Sequence, residues 1–114
     1  MSKLDGLRVM ENVVKIYVPT TTDVDQVTDT TVVVTHVLEV LSQTCGGATA
    51  QEGIGAWVSD TVGLIQEKVT ICFAYIVSLT DKIIDIVVSL AQEIKNLLHQ
   101  EAVAMEVNGK LYLV

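Results

Sequence analysis

Two adjacent glycines, Gly46 and Gly47, stand where one hydrophobic periodicity stops and another starts, and few folds satisfy both sides of them. Before them Val34, Val37, Leu38 and Leu41 recur at helical spacing. A glycine just past such a run supplies the left-handed residue that closes a helix. The triple valine at 32–34 favours a strand by propensity, but the spacing and the stop together predict a helix from Thr31. After the glycines, residues 48–59 read as a strand carrying Trp57, and Ser59-Asp60 opens a turn. Gly53 and Gly55 inside that strand predict a bulge, a bend or a close backbone approach.

The remaining elements follow in order. Residues 13–19 have the β-branched and aromatic content of a strand, with Val14, Ile16 and Val18 on one face and Val13, Lys15 and Tyr17 on the other. The Thr- and Asp-rich stretch 20–31 reads as a loop ending in a helix cap at Asp29 or Thr30. Residues 60–63 form a turn, and 64–76 return as a long second arm, apolar nearly throughout from Val69. Ser78 and Asp81 fit a helix-start box. In the helix that follows, Ile83, Ile86, Val87, Leu90, Ile94 and Leu97 make one apolar stripe, and it runs to about His99. Residues 102–106 and 111–114 then form a hairpin around Asn108-Gly109.

The order β-α-β-β-α-β with an extra C-terminal strand predicts an α+β domain, a ferredoxin-like split β-α-β sandwich with two helices on one face of an antiparallel sheet. Right-handed crossovers place the first strand beside the 102–106 strand at the centre. The expected organisation is a lead-in over residues 1–12 and a single domain over 13–114.

Composition excludes several classes. The chain has 114 residues and a formal charge of -7, and its seven basic residues are scattered without a cluster. A surface that grips phosphate backbones or anionic lipid needs basic residues gathered on one face, so neither nucleic acid nor membrane is an expected partner. Apolar runs such as 69–80 stop at twelve residues, too short to span a bilayer. The N-terminus lacks an apolar signal core, and two cysteines are too few for a disulfide framework, so a cytoplasmic protein is expected.

No catalytic, cofactor-binding or metal-ligating residue is expected. His36 and His99 fall on different segments without metal-ligand spacing. Gly46-Gly47-Ala48-Thr49 lacks the Lys-Ser/Thr of a phosphate-binding loop, and Gly53-Ile54-Gly55 lacks the third glycine of a dinucleotide fingerprint. Cys72 lies in an apolar strand, where burial makes a poor thiolate. Glu52, Asp60 and Glu67 could share acid–base work only if desolvated together, and they read as solubilising residues. Trp57, Tyr17, Phe73, Tyr75 and Tyr112 are the candidate interface or ligand residues, because aromatic side chains concentrate binding energy.

The words Gly46-Gly47-Ala48-Thr49-Ala50 with Gly55-Ala56-Trp57 beyond them, together with Gln100-Glu101-Ala102-Val103-Ala104-Met105-Glu106-Val107-Asn108-Gly109-Lys110-Leu111-Tyr112-Leu113-Val114, resemble small uncharacterised proteins encoded by bacterial phages, plasmids and other mobile elements. The likeness extends to the segment from Lys15 to Thr20 and to Glu67-Lys68-Val69-Thr70. It implies a mobile-element origin and brings no activity, cofactor or catalytic residue with it.

Together these readings lead to a non-catalytic interaction module of a mobile element, acting on a host or element-encoded protein such as a defence system. The alternative is a small enzyme or small-ligand binder using the stretch from Gly47 to Asp60 and a pocket lined by Trp57, Tyr75 and convergent carboxylates. A third expectation is self-association. Residues 69–76 are apolar on both faces, and helices can cover only one, so a homodimer or larger even-numbered assembly is expected through the open face or the edge at 111–114.

Overall fold

The computed structural model describes residues 2–22, 26–27 and 29–114, and of residues 22–28 no side chain is described. Strand β1 (Asn12–Pro19) is followed by two short pieces, β2 (Thr21–Thr22) and β3 (Gln26–Val27), then helix α1 (Thr31–Cys45). Strands β4 (Thr49–Ser59) and β5 (Gly63–Ile76) form a hairpin, and helix α2 (Asp81–Leu97) leads to β6 (Ala104–Val107) and β7 (Lys110–Leu113). The loop expected over 20–31 lies partly outside the described residues; β2 and β3 pair within it.

The main sheet has the order β4-β5-β1-β6-β7, and every neighbouring pair is antiparallel. That is the split β-α-β arrangement with one strand added at the β6 edge, and β1 lies beside β6 as the crossover rule requires. Val14, Ile16 and Val18 of β1 are fully buried beneath the helices. Val37 and Leu41 of α1 and Val87, Leu90, Ala91 and Ile94 of α2 meet them from above, with Cys72, Ala74 and Met105 completing the core.

Helix α1 forms despite its valines because Val37, Leu41 and Cys45 recur at i, i+4 and i+8 and bury together. It closes on Gly46 at φ 95°, a backbone that side chains avoid, with the Gly46 amide bonded to Ser42 O at 2.8 Å.

Three sequence expectations need correction. The cap of α2 is Thr80, not Ser78: Thr80 Oγ1 accepts from the Ile83 amide at 3.3 Å. The buried stripe of α2 continues to Leu98, leaving Leu97 exposed, because Leu98 falls four residues after Ile94 on the same face and its amide bonds to Ile94 O at 2.9 Å. Gly53 and Gly55 make no bulge, for β4 pairs with β5 without interruption from Thr49↔Phe73 to Ser59↔Gly63. A Cβ added at Gly53 would stand 3.4 Å from Ile71 Cδ1 and 3.5 Å from Val69 Cγ1, so the glycine makes room for its neighbours' side chains.

Asn108 and Gly109 turn between β6 and β7 with φ of 50° and 84°. Asn108 does more than turn: its Oδ1 accepts from the Val13 amide at 2.9 Å and its Nδ2 donates to Asn12 Oδ1 at 2.8 Å. The turn is thereby tied to the start of β1.

Candidate functional site: a cleft where the hairpin leaves the body

The functional geometry follows from a mismatch of lengths. Helix α1 has 15 residues and β5 has 14. At about 1.5 Å per residue for a helix and 3.3 Å for a strand, the strand is roughly twice as long. The helices therefore cover only the base of the hairpin, and its distal half projects from the body, giving the molecule dimensions of 54 × 29 × 23 Å. Where the hairpin clears α1, a cleft of about 740 Å³ opens.

Its walls come from three places: Thr20 and Thr21 after β1, residues 29–31 with Val34 and Thr35 at the start of α1, and the β4–β5 ladder at residues 50–52, 66–68 and Thr70. Strand alternation decides which side chains enter. Cys72 and Ala74 are buried under the helices, so Thr70 and Lys68 share their face, with Glu52 opposite Thr70 and Ala50 opposite Cys72. Glu67, opposite Gly55, belongs to the other face by the same register.

The cleft's edge is fixed by local hydrogen bonds. Thr20 Oγ1 donates to Lys68 O at 2.8 Å, and Gln100 Nε2 donates to Thr21 O at 2.8 Å. Asp29 Oδ1 accepts from the Thr31 amide at 2.9 Å and from Thr31 Oγ1 at 2.6 Å. The side-chain bond and then the amide bond hold the Asp29 carboxyl below the usual carboxylate range, so it is a stable anion at the rim.

Elsewhere the structure supplies less. His36 Nε2 stands 3.1 Å from Glu93 Oε1 across a groove between α1 and α2, a contact without hydrogen-bond alignment. Among the described residues no group of three or more His, Cys, Asp or Glu could hold a metal ion. Burial pushes the Cys45 thiol up and the Cys72 thiol up to about 11, so neither is a thiolate nucleophile near neutral pH. No helix in the described residues is long and apolar enough to cross a membrane.

Of the five aromatic candidates, Tyr17, Trp57, Phe73 and Tyr75 share the sheet face turned away from the helices, whereas Tyr112, opposite Met105, lies on the other. Phe73 and Tyr75 meet edge to face at 6.2 Å. None of the five lines the cleft. The stretch from Gly47 to Asp60 is strand for most of its length and not a loop, and it reaches the cleft through Ala50, Gln51 and Glu52. Sequence reading passed over Thr21, Asp29 and Thr31; only their Thr/Asp composition before a helix start marked them.

A sheet backed by two helices on one side, with a cleft of ligand size at the edge of the helical layer, defines a small α+β domain. Solved structures similar to it over the whole chain are those of a phage SAM lyase. The form in complex with S-methyl-5'-thioadenosine superposes with a TM-score of 0.69 at 17% identity, covering 99% of this chain and 95% of that one. The apo form gives 0.66 at 19% identity, covering 100% and 94%. No protein-family model matches the chain, and no curated protein matches it. The expectation of a non-catalytic interaction module is corrected by these neighbours: the architecture is one on which an enzyme is built, from end to end.

Proposed function

We propose that this chain is a small lyase acting on S-adenosylmethionine or a close sulfonium relative, bound in the cleft between α1 and the β4–β5 hairpin, and that it releases S-methyl-5'-thioadenosine. The observation that carries this reading is the cleft itself, set at the same fold as a lyase seen with that thioether. At about 740 Å³ it falls within the range of small-molecule sites. Its chemistry suits the substrate as well. S-adenosylmethionine carries a sulfonium and an ammonium against one carboxylate, and the cleft face presents the complement, Asp29 and Glu52 against one cation, Lys68, in a chain of net charge -7.

The reaction asks little of the protein. The Cγ–S bond breaks with its electron pair leaving on sulfur, which departs as a neutral thioether. The four-carbon remainder makes good the deficit either by losing a β-proton to a carboxylate of the cleft, its C–H electron pair forming the new double bond, or by closing its own carboxylate oxygen onto carbon γ. No water is consumed. Charge disappears as the bond breaks, so the less polar surroundings of Val34, Ala50 and the threonine methyls favour the step. The resemblance to phage and plasmid proteins fits this reading.

The test is direct. Purified protein incubated with S-adenosylmethionine is expected to yield S-methyl-5'-thioadenosine, read by liquid chromatography and mass spectrometry. Unchanged substrate after prolonged incubation at micromolar enzyme overturns the proposal.

We also propose that the chain self-associates through the sheet face opposite the helices. Ile65, Val69, Ile71, Phe73 and Tyr75 of β5 lie on that face beside Trp57, and Leu111 and Leu113 of β7 lie on it beyond the Lys15–Glu106 ion pair. Tyr75 is 50% exposed and Leu113 73% exposed, an apolar area of the kind that marks an interface. A second copy buries it most simply, because the surface is already matched to itself in chemistry. Light scattering at micromolar concentration is expected to give a multiple of 12.3 kDa, and a stable mass at 12.3 kDa removes the proposal.

A further inference from the structure

The cleft has two unlike ends, and the end at α1 holds hydrogen-bond donors that the fold leaves unused. The first intrahelical bond of α1 runs from the Val34 amide to Thr30 O at 2.9 Å, and the Thr31 amide is taken by Asp29. The amides of Val32 and Val33 come too early in the helix for an intrahelical acceptor. Thr30, at the cap position, makes no side-chain cap bond, and no acidic residue stands in the first turn. The positive end of the helix dipole thus faces the cleft wall.

A second feature points independently to a ligand. Thr21 lines the same cleft and is only 6% exposed, yet its Oγ1 is buried and finds no hydrogen-bond partner among the described residues. A buried hydroxyl left unpaired is destabilising, and a bound acceptor would remove that cost. Beside these donors stands a group of opposite character. Asp29 spends Oδ1 on Thr31, and its Oδ2 takes no bond among the described residues. Donors for an anion and an acceptor for a cation, side by side, complement a zwitterion.

We propose that the α1 end of the cleft is the subsite for the α-amino-acid arm of the sulfonium substrate, with the arm's carboxylate on Thr21 Oγ1 at the positive end of α1, and its ammonium on Asp29. This rests on the reading of the cleft as the S-adenosylmethionine site. The adenosine portion then occupies the hairpin end, between Ala50 and Lys68. The subsite separates substrate from product: once the C–S bond is broken, S-methyl-5'-thioadenosine retains nothing that these groups can hold. Decarboxylated or deaminated sulfonium compounds lose half of the contacts and become poor ligands.

Two stable nucleosides test the assignment. S-adenosylhomocysteine keeps the amino-acid arm but has no sulfonium to cleave, and S-methyl-5'-thioadenosine lacks the arm. Titration calorimetry with both is carried out on the wild type, on Thr21→Val, which keeps shape and loses the hydroxyl, and on Thr21→Ser, which keeps the hydroxyl. Thr21→Val is expected to weaken S-adenosylhomocysteine about tenfold and to leave S-methyl-5'-thioadenosine within twofold, as one charge-assisted hydrogen bond predicts. Thr21→Ser is expected to stay within twofold for both. The thioadenosine titration also serves as the folding control. If Thr21→Val changes neither affinity, or both equally, the assignment of the arm is wrong while the cleft stands. If the wild type binds neither nucleoside, the reading of the cleft itself falls, and this subsite with it.

Discussion

Ile16→Ala is expected to lower the unfolding free energy by about 4 kcal/mol, within the ~2–5 kcal/mol found for emptying a buried aliphatic site. Ile16 lies in the central strand β1, fully buried, with Cys72 of β5 on one side and Met105 of β6 on the other. Both neighbours are anchored by their own ladders, so the sheet cannot close around the gap, and the helices above are held by other contacts. A domain of this size has a total stability of about 5–15 kcal/mol, so the variant should sit near the edge of folding. Denaturant unfolding measures the loss as a fall in midpoint at constant slope. Ile54→Ala is the matched control: the same side chain, 73% exposed on the projecting hairpin, should cost less than about 0.5 kcal/mol in the isolated chain. Equal losses at the two sites, which lie on the same sheet face, would mean that the helical layer does not end where the hairpin projects.

The contrast between those isoleucines also explains what could be read from the sequence. Ile16 sits in strict alternation with Val14 and Val18, and alternation of that kind defines a face without knowledge of neighbours. The helix closing at Gly46, the turn at Asn108-Gly109 and the strand order all follow from local rules of the same sort. Ile54 carries no such mark. Whether a strand residue is covered depends on how far the opposing helix reaches, a length comparison between α1 and β5 that emerges only on folding. The cleft has the same origin. Its residues are threonines, Asp29, Gln51 and Glu52, each ordinary in a loop or on a strand surface, and they converge because the hairpin outruns the helix. Motif search finds chemistry that is local in sequence; here Thr21 and Thr70 meet across 49 positions. The absence of a motif was therefore no evidence that the chain lacks an enzymatic site, and the inference to a non-catalytic module failed at that step. The aromatic candidates belong to another surface: Trp57 and Tyr75 face away from the cleft, on the side of the sheet opposite the helices.

The combined substitution Asp29→Asn with Glu52→Gln is expected to reduce kcat/KM for S-adenosylmethionine about 100-fold, each lost charge contributing roughly tenfold, or ~1.4 kcal/mol. Both replacements keep size and hydrogen-bonding shape. The amide oxygen that replaces the Asp29 carboxylate can still accept from Thr31, so the start of α1 should survive, and thermal melting of the variant checks that it does. The loss should fall mainly on KM. Glu52 near the sulfonium stabilises the bound substrate, yet that positive charge vanishes as the C–S bond breaks. Asp29 holds the ammonium equally in substrate and transition state, so neither carboxylate favours the transition state over the substrate. Removing them weakens binding while leaving kcat near its starting value or slightly above. Raising the salt concentration should shrink the difference between wild type and variant, because the cleft is open and its charges are partly screened. Acid should have a related effect. The Asp29 carboxyl is held below its ordinary value by Thr31, so its charge, and the binding that depends on it, persists until the pH falls below the usual carboxylate range. Initial rates of S-methyl-5'-thioadenosine formation across substrate concentration separate the two parameters. A collapse of kcat at unchanged KM would show instead that one of these carboxylates takes the β-proton, turning a binding group into the base of an elimination.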